Sequence, residues 1–241
     1  MTRIVCLHGF LGKPSDWQPV VEAFHRMAPD VQIDVVDIFS TKQNLKFKTM
    51  ADWAKKFNDD QKSKHVERNI LVGYSMGGRL ALQAAIDKPG LWDEVILISS
   101  HPGLIDHDVK AKRLASDKEW ADKFLNISWS DVVSLWNDQP VFAGSEEPER
   151  KEGDFNKELV AMSLVNWSLA TQEFLGEEIR QLSPKLHWYA GEKDLKYREL
   201  FQALQSDGFI TDFHIIRGAG HRVIFDKPYD FAHQLVHDLK L

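Results

Sequence analysis

A serine flanked by glycines, Ser75, stands where a buried strand is predicted to give way to a helix. The apolar run at residues 70–72 is typical of a strand, the pentapeptide G-Y-S-M-G follows it, and an Ala/Leu-rich helical pattern begins at once. In this context G-x-S-x-G places a serine on a strained, outward-facing turn, because the glycines allow strand and helix to approach closely. Ser75 is therefore the candidate nucleophile, and the alternative is a Gly-rich turn whose serine has no function.

A serine nucleophile needs a base to take its proton and an acid to orient that base. His221 follows a predicted strand in G-A-G-H, and Asp194 follows another in G-E-K-D. This order of Ser, Asp and His, each in a loop at the C-terminal end of a strand, resembles the α/β-hydrolase superfamily. Glu192 competes with Asp194 for the acid role. His8 is the alternative base, although its position between a strand and a glycine favours a role in ordering that loop.

The resemblance to α/β-hydrolases also implies an oxyanion hole made of two main-chain N–H groups. Met76 is the first residue of the helix after Ser75, and Phe10 lies in the glycine-flanked loop G-F-L-G after the first strand. Both positions match the places from which this superfamily directs backbone donors at a developing oxyanion.

Six strand patterns alternate with helical patterns along the chain, at residues 3–7, 31–38, 69–75, 94–100, 185–190 and 212–217. A polar stretch at 40–48 leads into a helix predicted at 49–60, and the last helix is predicted at 228–239. Right-handed crossovers join such elements into a mostly parallel, doubly wound sheet. The sequence therefore predicts a single α/β unit of the α/β-hydrolase type.

More than eighty residues separate the fourth and fifth predicted strands, too many for an ordinary loop. This segment shows helical periodicity, interrupted at Gly144–Gly153 by an acidic stretch that is typical of a solvated connection. We therefore expect residues 101–184 to form a helical cap inserted into a core of residues 1–100 and 185–241. A cap there would enclose the crevice where parallel sheets bind their ligands.

Composition restricts the class of partner. The 241 residues carry a formal charge of −6 and no long Lys/Arg block, so nucleic acid is not an expected partner. An anionic ligand would have to be bound by a few arginines inside a pocket, because the overall field repels it. No cluster of His, Cys and Asp has metal-ligand spacing.

The single cysteine, Cys6, lies in an apolar run and cannot form an internal disulfide, which suits a reducing compartment. No signal-peptide pattern begins the sequence, and no apolar segment reaches the ~20 residues of a membrane span. We therefore expect a cytoplasmic protein without membrane insertion.

Longer motifs narrow the resemblance to one family. These are L-H-G-F-L-G, G-Y-S-M-G-G-R-L-A-L, H-P-G-L, R-x-x-x-D-x-x-W at 113–120, W-x-x-Q-P-V-F at 136–142, G-E-K-D-L-K-Y and G-A-G-H. Across nearly the whole chain they resemble the 2-succinyl-6-hydroxy-2,4-cyclohexadiene-1-carboxylate (SHCHC) synthases of menaquinone biosynthesis. The tryptophan motif in the cap is the most specific of them.

That family uses its triad, without a cofactor, to remove a proton from a cyclohexene polycarboxylate and to expel pyruvate by 2,5-elimination. The resemblance implies that Ser75, activated by His221 and oriented by Asp194, acts as the base. It also implies a substrate pocket formed by Tyr74, Arg79, Arg113 and Trp136. The plainer alternatives are that Arg113 only pairs with Asp117 and that Arg79 is a solvated helix residue.

One departure from the family concerns a further cap arginine, to which no arginine aligns here. Arg150, Lys151 and Lys157 are the candidates to replace it.

Two other functions compete with the lyase. One is a cytoplasmic serine hydrolase that cleaves an ester, thioester or carbon–carbon bond through an acyl-enzyme, and the other is a non-catalytic ligand-binding protein of the same fold.

Overall fold

A computed structural model describes residues 1–39, 47–61 and 66–241. Six strands form one parallel sheet in the order β2-β1-β3-β4-β5-β6. They are β1 Thr2–Leu7, β2 Gln32–Val36, β3 Arg68–Tyr74, β4 Glu94–Ile98, β5 Lys185–Gly191 and β6 His214–Ile216. All six predicted strands and the parallel, doubly wound arrangement are confirmed. Most of the polar connection predicted at 40–48 lies outside the described residues.

Ten helices of the described part accompany the sheet. They are α1 Gln18–Met27, α2 Met50–Gln61, α3 Met76–Asp87, α4 His107–Asn126, α5 Trp129–Asn137, α6 Lys157–Asn166, α7 Gly176–Gln181, α8 Leu195–Ser206, α9 Val223–Asp226 and α10 Pro228–Leu239. None of these helices is long and apolar enough to cross a membrane.

Alternating side chains of the strands divide the core into two layers. Ile4 and Cys6 of β1 point into a cluster with α1 and α10, whereas Val5 and Leu7 point into a cluster with α2, α3 and α8. Because both faces of the sheet are covered, its central strands, such as β4, are mostly apolar on both sides, as in parallel sheets generally. β6 is shorter than its predicted span because only three of its residues pair with the end of β5.

Residues 101–184 contain α4 to α7 and no strand. Helices α4, α5 and α6 share a small apolar cluster centred on Phe124 and Val132, which also includes Leu11 of the loop after β1. The last helix of the segment differs, because Ile179 of α7 packs in the core cluster beneath the sheet. The division into core and cap stays a prediction, with α7 packed against the predicted core.

The predicted solvated connection is fastened to the rest of the protein. Ser145 Oγ and the main-chain N–H of Glu146 donate hydrogen bonds to Asp226. Arg150 forms two hydrogen bonds to Asp16, at 2.9 and 2.8 Å, and both side chains are buried. The segment therefore has a fixed path over the carboxyl ends of the strands.

Candidate active site

Ser75 lies on a strained turn between β3 and α3. Its φ of 53° and ψ of −111° fall where side-chain-bearing residues are rare, and its N–H donates to the carbonyl of Ile98 at 2.8 Å. A Cβ on Gly73 would lie 2.4 Å from the carbonyl oxygen of Gly77, and a Cβ on Gly77 would lie 2.4 Å from that of His8. The two glycines thus allow the close packing of strand and helix that holds Ser75 in this conformation.

The structure brings the hydroxyl, the imidazole and the carboxylate of the predicted triad into one hydrogen-bonded chain. His221 Nε2 lies 3.2 Å from Ser75 Oγ, and His221 Nδ1 lies 2.8 Å from Asp194 Oδ2. His221 and Asp194 are each 4% exposed. Glu192, the competing acid, is exposed and instead accepts a hydrogen bond from the N–H of Gly218.

The meeting of Asp194 and His221 depends on a close approach of two loops. A Cβ on Gly191, at the end of β5, would lie 2.0 Å from the carbonyl oxygen of Gly220, so only glycine fits. Asp194 is the N-cap of α8 and accepts a hydrogen bond from the N–H of Tyr197 at 3.4 Å. Both the cap and the helix dipole stabilise a negative charge at this position.

The loop after β1 holds Phe10 beside Ser75. Leu11 has a φ of 52°, and the N–H of Gly12 donates to the carbonyl of Gly9 at 3.0 Å, which closes a tight turn. Fully buried His8 orders this region, since its Nε2 accepts a hydrogen bond from the N–H of Ile38. Its position fits the loop-ordering role rather than that of a base.

Phe10, Ser75 and Met76 line the same cavity. The N–H of Met76 opens α3, and the first N–H groups of a helix have no partner within it. The two residues whose main-chain N–H groups are predicted to form an oxyanion hole therefore line the cavity at Ser75, and the role of those N–H groups stays a prediction.

Two cavities adjoin Ser75, and the larger of these two, of about 200 Å³, is lined by Ser75, His221, Arg79 and Arg113. Arg79 is 6% exposed, so its interpretation as a solvated helix residue is wrong. Its guanidinium contacts Gln172 Oε1 at 3.5 Å and Met50 Sδ at 3.8 Å, and it pairs with no carboxylate of the described residues. Burial, reinforced by the charge of Arg113, lowers the pKa of Arg79 to about 10.

Arg113 pairs with Asp117 and also borders the larger cavity, so the pairing leaves its substrate-binding role open as a prediction. Its Nε donates to both carboxylate oxygens of Asp117, at 2.9 and 2.8 Å, and the residue also lines the larger cavity. Asp117 is further fixed by the hydroxyl of Ser168, at 2.6 Å. Arg113 is thus held in place by an anion while one side of it borders the cavity.

Lys196 supplies a third cation to the larger cavity that sequence reasoning missed. Burial and the charge of Arg113 lower its pKa. The signal was available, since Lys196 follows Asp194 by two residues in the first turn of α8. The proposed replacements for the absent cap arginine do not line this cavity: Arg150 pairs with Asp16, Lys151 with Glu149 and Lys157 with Glu152.

His101, in the loop after β4, also lines the larger cavity and was not singled out from the sequence. Its Nδ1 accepts a hydrogen bond from the N–H of Gly103 at 3.0 Å, which places the proton of the neutral ring on Nε2. Burial and then the charges of Lys196, Arg79 and Arg113 lower its pKa to about 3. His101 is therefore a neutral hydrogen-bond donor at physiological pH.

A smaller cavity, of about 60 Å³, adjoins the larger one at Ser75. Phe10, Trp136 and Phe142 line both, so Trp136 lies at the candidate site, and its contact with a substrate stays a prediction. Tyr74 differs from the expectation, because it lines the smaller cavity rather than the one that holds Arg79. Adjacent residues of a strand point to opposite faces, and the turn at Ser75 separates Tyr74 from the residues of α3.

The described residues contain no group of three or more His, Cys, Asp or Glu placed to hold a metal ion. Cys6 is 4% exposed, and burial raises the pKa of its thiol, so it behaves as a core residue rather than as a nucleophile.

Comparison with solved structures identifies the fold independently. MenH from S. aureus superposes with a TM-score of 0.87 at 20% identity, over 99% of this chain and 93% of that one. A carboxylesterase from the thaumarchaeon Nitrososphaera gargenis gives a TM-score of 0.76 at 15% identity, over 99% and 90%. At these identities the likeness concerns the fold alone.

Comparison with related sequences identifies the family as well as the fold. The model of the alpha/beta hydrolase family matches residues 4–234. The 2-succinyl-6-hydroxy-2,4-cyclohexadiene-1-carboxylate synthase of Salmonella typhimurium is 32% identical, over 99% of this chain and 94% of the relative. The chain therefore belongs to the alpha/beta hydrolase family and, within it, to the family of SHCHC synthases.

Proposed function

We propose that the chain is a carbon–oxygen lyase that converts 2-succinyl-5-enolpyruvyl-6-hydroxy-3-cyclohexene-1-carboxylate into SHCHC and pyruvate. The observation that carries this proposal is a serine–histidine–aspartate chain opening onto a cavity with a buried, unpaired arginine. Ser75 and His221 offer a base, at 3.2 Å from each other, and Arg79 offers a cation that no described carboxylate neutralises. A substrate with several carboxylates suits that cavity better than a neutral ester does.

The names of substrate and product define the bonds that change. Ser75 Oγ takes the proton from C2 of the ring and passes its own proton to His221 Nε2. The electrons of the C2–H bond form C2=C3, those of C3=C4 form C4=C5, and the C5–O bond breaks. The leaving group departs as the enolate of pyruvate and takes a proton at carbon. Asp194 orients the imidazole and stabilises its protonated form.

The proton at C2 is acidic because the succinyl ketone is attached to the same carbon. Negative charge develops on the ketone oxygen as the proton leaves. The N–H groups of Phe10 and Met76 are proposed to stabilise that oxygen, in the same way as backbone donors stabilise a tetrahedral oxyanion. A lyase and a hydrolase thus use the same donors for different oxygens.

Substrate binding is proposed to rest on Arg79 and Arg113, with Lys196 as the third cation and Trp136 against the ring. All four line the larger cavity. Residues 101–184 would act as a cap that contributes Arg113 and Trp136, while Arg79 and Lys196 come from the core. A cytoplasmic location forms part of the proposal, and the one buried free cysteine is compatible with it.

The direct test is incubation of the purified protein with the enolpyruvyl precursor while pyruvate release is followed by a coupled assay. We expect turnover by the wild type, none above background by Ser75→Ala, and a loss of about 100-fold in kcat/KM for Arg79→Gln. Absence of pyruvate release by the wild type at micromolar enzyme would refute the proposed reaction.

A serine hydrolase is the second candidate, because the same triad and N–H donors suit an acyl-enzyme. Esterases share the fold, including a thermophilic esterase from Thermogutta terrifontis with a TM-score of 0.73 at 16% identity. Hydrolysis of a neutral p-nitrophenyl ester discriminates the two. The hydrolase hypothesis predicts that the wild type hydrolyses the ester efficiently and that Arg79→Gln hydrolyses it at the same rate. The lyase hypothesis predicts that the wild type hydrolyses the ester slowly at most.

A further inference from the structure

Two cavities share Ser75 as a lining residue, and the rest of their linings is partly different. Ser75, Phe10, Trp136 and Phe142 line both, whereas Arg79 lines only the larger cavity and Tyr74 only the smaller one. The reacting carbon must lie within reach of Ser75. A ligand with two arms can therefore place one arm in each cavity.

The two cavities also differ in charge. Arg79, Arg113 and Lys196 line the larger one together with Asp117, which leaves an excess of two positive charges apart from the histidines. Arg150 and Arg222 line the smaller one together with Asp16, which leaves an excess of one. Because Arg150 is already paired with Asp16, that excess charge resides on Arg222.

Arg222 has unused hydrogen-bonding capacity. It is 5% exposed, donates from Nη1 to the carbonyl of Glu146 and from Nη2 to the amide oxygen of Asn137, and stacks on the ring of Phe142 at 4.1 Å. It forms no ion pair with the described residues. A guanidinium has five N–H donors, so three remain for a ligand.

Tyr74 adds a neutral donor to the same cavity. It is 6% exposed, and its hydroxyl has no hydrogen-bond partner among the described residues. Burial raises the pKa of the phenol and the charge of Arg222 acts in the opposite direction, so the two groups are close enough to interact. The phenol remains protonated and can donate to an anion.

The shape of the substrate matches this division, if the proposed function holds. Ring carbons 2 and 5 lie opposite each other, so the succinyl and enolpyruvyl arms extend in opposite directions from a ring held over Ser75. The succinyl arm and the carboxylate on C1 are neighbours and carry two negative charges. The enolpyruvyl arm carries one.

We propose that Arg222 and Tyr74 form a second anion subsite, which binds the carboxylate of the enolpyruvyl leaving group in the cavity that Arg79 does not line. This assignment rests on the proposed function for the identity of the arm. Arg222, the residue directly after His221, would then take the place of the family's further cap arginine, to which no arginine of this chain aligns.

The competing explanation is that Arg222 only tethers the segment at 137–146 to the loop of His221. A matched variant separates the two roles. Asn137→Ala removes one bond of the tether and keeps the guanidinium, whereas Arg222→Gln removes the charge. A tether alone predicts similar effects of the two variants.

Binding of pyruvate and of succinate to the free protein, measured by ligand-detected NMR titration, tests the subsite without any turnover. For Arg222→Gln we expect the Kd of pyruvate to rise by roughly tenfold or more and that of succinate to change by less than about twofold. For Arg79→Gln we expect the opposite, a rise of roughly tenfold or more in the Kd of succinate and a change of less than about twofold in that of pyruvate. Asn137→Ala should leave the Kd of pyruvate within about threefold of the wild type. Thermal melts confirm that each variant is folded.

The subsite is refuted if pyruvate does not bind the wild type, if Arg222→Gln leaves its Kd unchanged, or if Arg79→Gln and Asn137→Ala weaken it equally. The outcome is independent of the lyase assay. A protein that binds pyruvate through Arg222 but releases none from the precursor would retain the subsite and lose the proposed reaction.

Discussion

Replacement of Arg79 by methionine is expected to stabilise the ligand-free protein while it abolishes efficient turnover of the polycarboxylate. Arg79 is buried, and its only polar contacts are a 3.5 Å hydrogen bond to Gln172 and the sulfur of Met50. A buried charge without an opposite partner raises the free energy of the folded state. Methionine has a similar length, is flexible and fills the same apolar space.

The magnitude follows from the pKa of Arg79, which falls from an ordinary 12.5 to about 10. At about 1.4 kcal/mol per pH unit, the folded protein holds this charge at a cost of roughly 3 kcal/mol at any pH below 10. The substitution leaves the amide oxygen of Gln172 without its donor, which costs about 1 to 2 kcal/mol. A net gain of about 1 to 2 kcal/mol raises the Tm of a chain of this length by about 4 °C.

Thermal and urea unfolding of the free proteins measure this effect, and Arg113→Met is the matched control. Arg113 has its carboxylate partner, so its loss leaves Asp117, 5% exposed, without its cation and should lower the Tm. Both variants should lose kcat/KM for the precursor. A Tm of Arg79→Met below that of the wild type, at unchanged packing, would show that Arg79 already has its charge compensated in the free protein and would refute this reasoning.

Three further outcomes are expected. Asp194→Asn should lower kcat by about 10³-fold or more with a small change in KM, because His221 loses the acceptor 2.8 Å from its Nδ1; steady-state kinetics measure both parameters. Asp16→Asn leaves Arg150 buried without an anion and should cost roughly 3 kcal/mol in urea unfolding, whereas Asp16→Asn combined with Arg150→Met should recover most of it. The pKa of His101 is depressed from 6.5 to about 3, so below pH 6.5 the unfolded chain binds a proton that the folded protein excludes, and the folded protein loses stability as pH falls towards 3. The difference in unfolding free energy between His101→Gln and the wild type should therefore shift in favour of the variant from pH 7 to pH 4, and a constant difference would contradict the assignment.

The sequence was sufficient for the fold because its signals are local. Each strand of the sheet is an apolar run that ends at a glycine or a polar residue, and the turn at Ser75 is marked by glycines whose Cβ atoms would collide with the backbone. The positions of Asp194 and His221 followed from the same rule, since the carboxyl ends of parallel strands meet at one edge of the sheet. The prediction of the strands and of these three positions does not depend on how the segment at 101–184 packs.

The distribution of cations in the site could not be predicted in this way. Whether Arg79 faces solvent or the cavity depends on what covers α3, and this helix is buried on nearly all sides. Lys196 and Arg222 lie within two residues of Asp194 and His221, but only the docking of the segment at 137–146 decides which cavity each one lines. The separation of Tyr74 from Arg79, five residues apart in the sequence, depends on the positive φ of Ser75 between them.

The pairing of the cations leads us to expect that the free protein binds a polyanion in preference to a neutral ester. Arg113 and Arg150 are held by Asp117 and Asp16, so they are positioned but largely neutralised before any ligand arrives. Arg79 and Arg222 line different cavities and pair with no described carboxylate. A substrate that brings carboxylates to both completes two ion pairs in a desolvated site, where each is stronger than in water. A neutral ester leaves both charges unpaired and also removes their remaining water. Because this penalty would apply in both cavities, we expect a ligand with anionic groups on two arms to bind more tightly than one with a single anionic arm.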